Sequence, residues 1–101
     1  MFRIETVSGG ETILIITGPV IGDAAVEFGQ KIEVLIAGRS STISLDLSQA
    51  PAMNSQAIGK ILMLRGRLFE QNRVLRIQGC SDALLGLFKI IKLDSLIPIQ
   101  K

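Results

Sequence analysis

The order of short strand-like runs and longer helical stretches is the feature that most constrains how this chain folds. Four segments have the composition and periodicity of strands, namely residues 2–7, 12–17, 42–47 and 73–78. Three stretches carry apolar residues at helical spacing, namely residues 21–37, residues 56–71 and a segment that begins at Ser81-Asp82. The predicted element order is therefore β-β-α-β-α-β-α.

Strands that alternate with helices predict an α/β fold, with a mixed, mostly parallel sheet of about four to five strands and helices packed against it. Ser8-Gly9-Gly10 predicts a tight turn between the first two strands, which adds an antiparallel hairpin. The continuous β-branched run at residues 12–17 predicts a strand covered on both faces. With 101 residues, we expect one domain over residues 1–101 and a last segment, residues 96–99, docked on it.

The helical stretches predict which side chains form the core. The expected inward residues of the first two helices are Ile21, Ala25, Phe28, Ile32, Leu35 and Ile36, and then Ile58, Ile61, Leu62, Arg65, Leu68 and Phe69. Those of the third helix are Leu84, Leu87, Phe88 and Ile91. We also expect all four Phe, Met53 and Cys80 to be core residues.

Several classes of function are disfavoured by what the sequence lacks. There is no His, which excludes a Ser-His-Asp triad and the common zinc sites, and no phosphate-binding glycine motif occurs. We therefore expect no enzyme, no metal and no cofactor. The basic residues of the second half lack the Trp and Tyr that often stack on nucleic acid, so they predict a solvated helix face. The apolar runs are too short to cross a membrane, and the single Cys fits a cytosolic protein.

Function is expected in the loops after the strands, because ligands of such sheets often bind beyond the carboxyl ends of strands. These loops are residues 18–22, 48–55 and 79–81. In the second loop, Asn54 and Ser55 are both favoured helix N-caps. The same position suits a functional role, because a phosphate on Ser55 would be tolerated at a helix N-terminus and would block a docked partner. Both interpretations stay open at this point.

Two segments around this loop carry a resemblance to a known family. Leu45-Asp46-Leu47-Ser48 and residues 53–59, Met-Asn-Ser-Gln-Ala-Ile-Gly, resemble the STAS domain of bacterial anti-sigma factor antagonists. The resemblance extends to the strand at residues 73–77 and to the chain end, so it covers almost the whole sequence. It differs at Asn54, Gln56 and Ala57, where the family has Asp, a second hydroxyl residue and Gly.

The resemblance implies a partner-switching regulator that binds an anti-sigma factor with serine kinase activity, with Ser55 as the phosphorylated residue. The partner-binding residues that it implies are Asn54, Ser55, Gln56 and Ile58, with Asp46 and Asp23 nearby. The differences at residues 54, 56 and 57 favour an alternative, a non-switching adaptor subunit such as one in a lipid-transport complex. A nucleotide-binding protein is a third class, indicated by sheet topology alone. An exposed edge at the first strand would also permit a homodimer.

Overall fold

The computed structural model describes residues 1–7 and 9–101, and it confirms the predicted α/β order with one added strand. The strands are β1 (Phe2–Val7), β2 (Glu11–Thr17), β3 (Thr42–Gln49), β4 (Val74–Cys80) and β5 (Ile99–Gln100). The helices are α1 (Asp23–Ala37), α2 (Ser55–Glu70), α3 (Asp82–Ile90) and a short 3-10 helix, Leu93–Ser95. In the predicted first turn, Gly9 and Gly10 have φ of 90° and 82°, while Ser8 lies outside the described residues.

The sheet has the order β1-β2-β3-β4-β5, with β1 antiparallel to β2 and the other pairs parallel. Each crossover moves one strand further in the same direction, and right-handed crossovers then place α1, α2 and α3 on the same face of the sheet. We call this the helix face and the opposite side the open face.

The open face corrects the prediction for the second strand. Leu14 and Ile16 point to the helix face and are buried, whereas Ile13 and Ile15 are only half-buried. The β-branched run predicted two covered faces, but no crossover in the described part of the chain brings a helix to the second one. The local sequence therefore has the composition of a central strand, while the topology leaves half of its side chains near solvent.

The buried stripe of α2 also differs from the prediction. Its fully covered residues are Ala57, Ile61, Leu64 and Leu68. Leu62 is 41% exposed and Phe69 is 73% exposed, so neither belongs to the core. The small Ala57 side chain lies buried at the start of the helix, and the stripe that continues from it at helical spacing excludes Leu62 and Phe69.

Two further core predictions fail at helix ends. Ile21 is 52% exposed because α1 begins only at Asp23, after Gly22 with φ of 54°. Ile91 is 44% exposed because α3 ends at Ile90. The remaining predicted inward residues of α1 are buried, and so are Leu84 and Phe88 of α3.

The chain end docks as expected, through Ile97 and β5. Ile97 is 1% exposed, and Ile99 pairs with Ile77 of β4. The Ile77 N–H also donates to the Pro98 carbonyl at 2.9 Å. The docked end thus completes the sheet beside β4.

Candidate functional site

Hydrogen bonds to backbone carbonyls join the loops that follow β2, β3 and β4 at the carboxyl ends of these strands. The Val20 N–H donates to the Ala52 carbonyl at 2.9 Å, and the Asn54 N–H donates to the Val20 carbonyl at 3.2 Å. The Ser81 hydroxyl donates to the Ala50 carbonyl at 2.9 Å. These bonds hold the start of α2 between the other two loops, so the predicted site has a fixed position.

Asn54 is the N-cap of α2. Its backbone is extended, with φ of −89° and ψ of 174°, and its Oδ1 accepts a hydrogen bond from the Ala57 N–H at 2.9 Å. An N-cap side chain satisfies one of the donors that a helix leaves unpaired at its start. The structure therefore assigns the capping function to Asn54, one of the two candidates.

Ser55 is the first residue of α2 and its side chain is exposed. Within the described part of the chain, its hydroxyl takes part in no hydrogen bond that would hold the helix start. Gln56 beside it is exposed, and Ile58 on the next turn is half-buried. Ser55 is thus accessible and has no capping role.

One residue that the sequence interpretation placed in the core lies beside this helix start. Ile21 follows Val20, whose carbonyl accepts from Asn54, and it presents an exposed apolar side chain. Gly18 and Gly22 flank the segment with φ of 95° and 54°, and these two glycines were the signal for a loop. Asp23, at the start of α1, is also exposed. We call Ile21, Asp23, Asn54, Ser55, Gln56 and Ile58 the loop-end surface.

Asp46 has different surroundings. It is half-buried, and its Oδ1 accepts from the Ser48 N–H at 3.0 Å and from the Ser48 hydroxyl at 2.7 Å. A Cβ placed on Gly79 of β4 would lie 2.9 Å from the same oxygen. The described contacts of Asp46 therefore support the ends of β3 and β4, and none of them reaches the loop-end surface.

Comparison with known families decides the identity of this fold. The family model described as "Mlab, STAS domain" matches residues 5–98, which is nearly the whole chain. The chain belongs to the STAS-domain family. The resemblance carried by residues 45–48 and 53–59 is thereby confirmed. No curated protein sequence matches this STAS domain with statistical significance.

Solved structures of anti-sigma factor antagonists share the fold of this STAS domain. SpoIIAA in its unphosphorylated form aligns with a TM-score of 0.84 at 19% identity, over 100% of this chain and 89% of that one. Phosphorylated SpoIIAA from Bacillus gives a TM-score of 0.77 at 19% identity, over 100% and 92%. An antagonist from Mycobacterium paratuberculosis gives a TM-score of 0.87 at 16% identity, over 98% and 83%. At these identities the likeness establishes the fold.

The open face of the STAS domain carries a polar cluster that the sequence interpretation missed. Glu11 Oε2 accepts from the Ser44 hydroxyl at 2.5 Å and from Arg76 Nη2 at 2.7 Å, and Arg76 Nε donates to Ser44 Oγ at 3.0 Å. The Ser44 hydrogen bond, followed by the interactions with Arg76, lowers the pKa of Glu11. The two long side chains cover Ser44, which is fully buried although it lies on the open face. This cluster could have been predicted only from the register of β2, β3 and β4, which places the three residues side by side.

The single cysteine and the helices were also the subject of sequence predictions. Cys80 is 5% exposed at the end of β4, as predicted, and burial raises the pKa of its thiol above the usual value. None of the helices in residues 1–7 and 9–101 has both the length and the apolar composition needed to span a membrane.

Proposed function

We propose that this STAS domain is a regulatory protein of the antagonist type, which docks its loop-end surface on an anti-sigma factor with serine kinase activity. The observation that carries the proposal is that Asn54, and not Ser55, is the N-cap of α2. Asn54 caps the helix, so Ser55 is exposed and available for a partner or a phosphate. In this role the domain acts in the cytoplasm through protein binding and uses no cofactor, no catalysis and no nucleic acid.

A phosphate on Ser55 fits the electrostatics of its position. The first turn of α2 has no acidic side chain, and a helix N-terminus carries partial positive charge and unpaired N–H groups. A phosphoserine there adds close to two negative charges without like-charge repulsion from the first turn of the helix. It also places a hydrated, charged group on the loop-end surface, whose apolar members are Ile21 and Ile58. The same modification is thus compatible with the fold and unfavourable for docking.

Calorimetric titration of the purified protein into kinase-type anti-sigma factors of the source organism tests this proposal. We expect Ser55→Ala to bind like the parent and Ser55→Asp to bind at least tenfold more weakly. Ser95→Asp is the control for the added charge, because Ser95 is an exposed serine of the 3-10 helix beyond α3 and is not part of the loop-end surface. Equal binding by the parent, Ser55→Asp and Ser55→Ala contradicts the switch.

A second candidate function is a non-switching adaptor subunit, for instance in a lipid-transport complex. The observation that favours it is the presence of Asn54, Gln56 and Ala57 in place of the Asp, hydroxyl residue and Gly of switching antagonists. The adaptor would use the same loop-end surface without modification of Ser55. Intact mass of the protein isolated from its native cells separates the two functions. A phosphorylated fraction supports the switch, whereas unmodified protein that co-purifies with a transporter ATPase supports the adaptor.

A further inference from the structure

The outer edge of β1 has hydrogen-bonding groups that face away from the sheet. β1 is an edge strand, and the Thr17 N–H donates to the Met1 carbonyl at 2.7 Å, which makes Met1 and Thr17 a hydrogen-bonded pair. In an antiparallel ladder such pairs alternate, so residues 1, 3, 5 and 7 bond to β2. The N–H and C=O groups of Phe2, Ile4 and Thr6 therefore point outward.

We propose that β1 pairs with β1 of a second copy around a two-fold axis at Ile4, so that two five-stranded sheets join into one. In this register Ile4 lies opposite Ile4 of the second copy, and Phe2 lies opposite Thr6. The outward backbone groups then pair with one another, as an antiparallel ladder requires. Such an interface uses the same patch on both subunits, which is the usual symmetry of a homodimer.

Charge complementarity selects this register. Arg3 and Glu5 lie on the open face of β1, opposite Ile15 and Ile13 of β2, and within one copy Arg3 Nη2 lies 3.1 Å from Glu5 Oε2. Pairing around Ile4 places Arg3 of each copy directly opposite Glu5 of the other, at a non-hydrogen-bonded pair where side chains are closest. A slip of two residues places Arg3 against Arg3 or Glu5 against Glu5, and like charges directly opposite are destabilising. A shift of the second strand by an odd number of residues does not align the outward N–H and C=O groups of the two copies.

A groove next to β1 on the helix face, with apolar lining at Ile4 and Val34 and polar lining at Arg39 and Arg73, gives a second reason for a copy at this edge. The groove has a volume of about 260 Å³, and its lining includes Ile4, Thr6 and Val34. Ile4 is 38% exposed and Val34 is 57% exposed. In the proposed register Phe2 of the second copy lies beside Thr6, at the rim of the groove. The second copy therefore covers apolar surface as well as the strand edge.

Because the contact consists of one short strand and a groove, we expect it to bury less than the roughly 800 Å² per partner of a standard interface. We therefore expect a concentration-dependent dimer. Sedimentation equilibrium over a series of concentrations should show a mass that rises from 10.9 kDa toward twice that value. A monomer at every soluble concentration would overturn the proposal.

Charge reversal tests the register. Arg3→Glu and Glu5→Arg each place like charges opposite one another in a homodimer, so each variant alone should be monomeric. Mixed together, one chain presents two acidic and the other two basic side chains at these positions, so a heterodimer should form. The double variant Arg3→Glu/Glu5→Arg should dimerise like the parent. Dimerisation of either single variant at parental strength overturns the register, and so does failure of the mixture to associate.

Two controls separate the interface from folding. Arg67→Glu makes the same charge change at an exposed position of α2 and should leave dimerisation unchanged. Ile4→Pro removes an N–H that points away from β2, at an edge position where proline is tolerated. It should therefore retain the circular dichroism spectrum of the parent and lose the dimer. A folded Ile4→Pro variant that dimerises normally contradicts pairing through this edge.

Discussion

Asn54 Oδ1 accepts the Ala57 N–H at 2.9 Å, so the residue before Ser55 holds the helix start. Asn54→Ala should therefore lower the free energy of unfolding by about 1 kcal/mol, whereas Asn54→Asp should retain most of the cap. Ser55→Ala should change stability by less than about 0.5 kcal/mol, because the exposed hydroxyl has no capping role. Urea denaturation of the three variants measures these differences. A larger loss for Ser55→Ala than for Asn54→Ala would assign the cap to Ser55.

Gly79 and Asp46 lie close together at the end of β4. Gly79 has φ of 83°, and a Cβ there would lie 2.9 Å from Asp46 Oδ1 and 3.2 Å from the Ser48 Cβ. Gly79→Ala should therefore destabilise the protein by about 1–3 kcal/mol. Gly86→Ala in α3 is the matched control, because its Cβ would meet nothing within 4 Å, and it should stabilise by about 0.5–1 kcal/mol. Thermal or urea unfolding that ranks the two variants equally would contradict this account.

We expect the titration of Glu11 to account for part of the stability that the fold loses in acid. Its pKa is lowered in the folded chain from the usual 4.5, first by the Ser44 hydrogen bond and then by Arg76. As the pH falls, the Glu11 carboxylate of the unfolded chain is protonated before that of the folded chain. The carboxylate therefore stabilises the fold fully above pH 4.5, and this contribution is lost as the pH falls through the pKa of Glu11 in the folded chain. Glu11→Gln should therefore lower stability near neutral pH and flatten its decline in acid. Urea midpoints from about pH 7 to about pH 3 measure the slopes.

The control for Glu11 is Glu33→Gln, on an exposed side of α1 away from the cluster. It measures the effect of removing one carboxylate that does not contact Ser44 or Arg76, and that effect is subtracted from the change produced by Glu11→Gln. If Glu11→Gln and the parent decline equally between these pH values, the Ser44 and Arg76 contacts do not influence the titration of Glu11.

Arg73 stabilises the end of α1 from outside the helix. Its guanidinium donates to the carbonyls of Leu35, Ile36 and Ser40 at 2.9, 2.9 and 2.7 Å, and the last turn of α1 has no basic residue of its own. Arg73→Lys should cost about 2 kcal/mol of unfolding free energy, because an ammonium cannot reproduce the planar fork.

Arg65→Lys is the comparison for Arg73, since Arg65 donates one side-chain bond, to the Leu96 carbonyl at 2.8 Å. That exposed contact should cost less than about 1 kcal/mol. Urea denaturation of both variants gives the ranking, and equal losses would mean that the three carbonyl bonds of Arg73 add little.

The candidate site was predictable where its signals are local. Asn54 and Ser55 are recognisable N-cap residues, and the segment around them carries the family resemblance. Ile21 was misplaced because its spacing continues the pattern of α1, although Gly22 ends that pattern. Phe69 was misplaced because periodicity assigns apolar helix residues to the inward side. The rotation of α2 about its own axis depends on which of its stripes meets the sheet.

By itself, the sequence determined the order of strands and helices, the α/β class and the position of the candidate loop before α2, because periodicity and capping act over a few residues. The tertiary structure decided which of Asn54 and Ser55 caps α2 and that one sheet face stays open. It also decided that Glu11, Ser44 and Arg76 meet. Those outcomes depend on strand register and crossover direction, which join residues more than thirty positions apart in the chain. No local pattern of side chains encodes such distances.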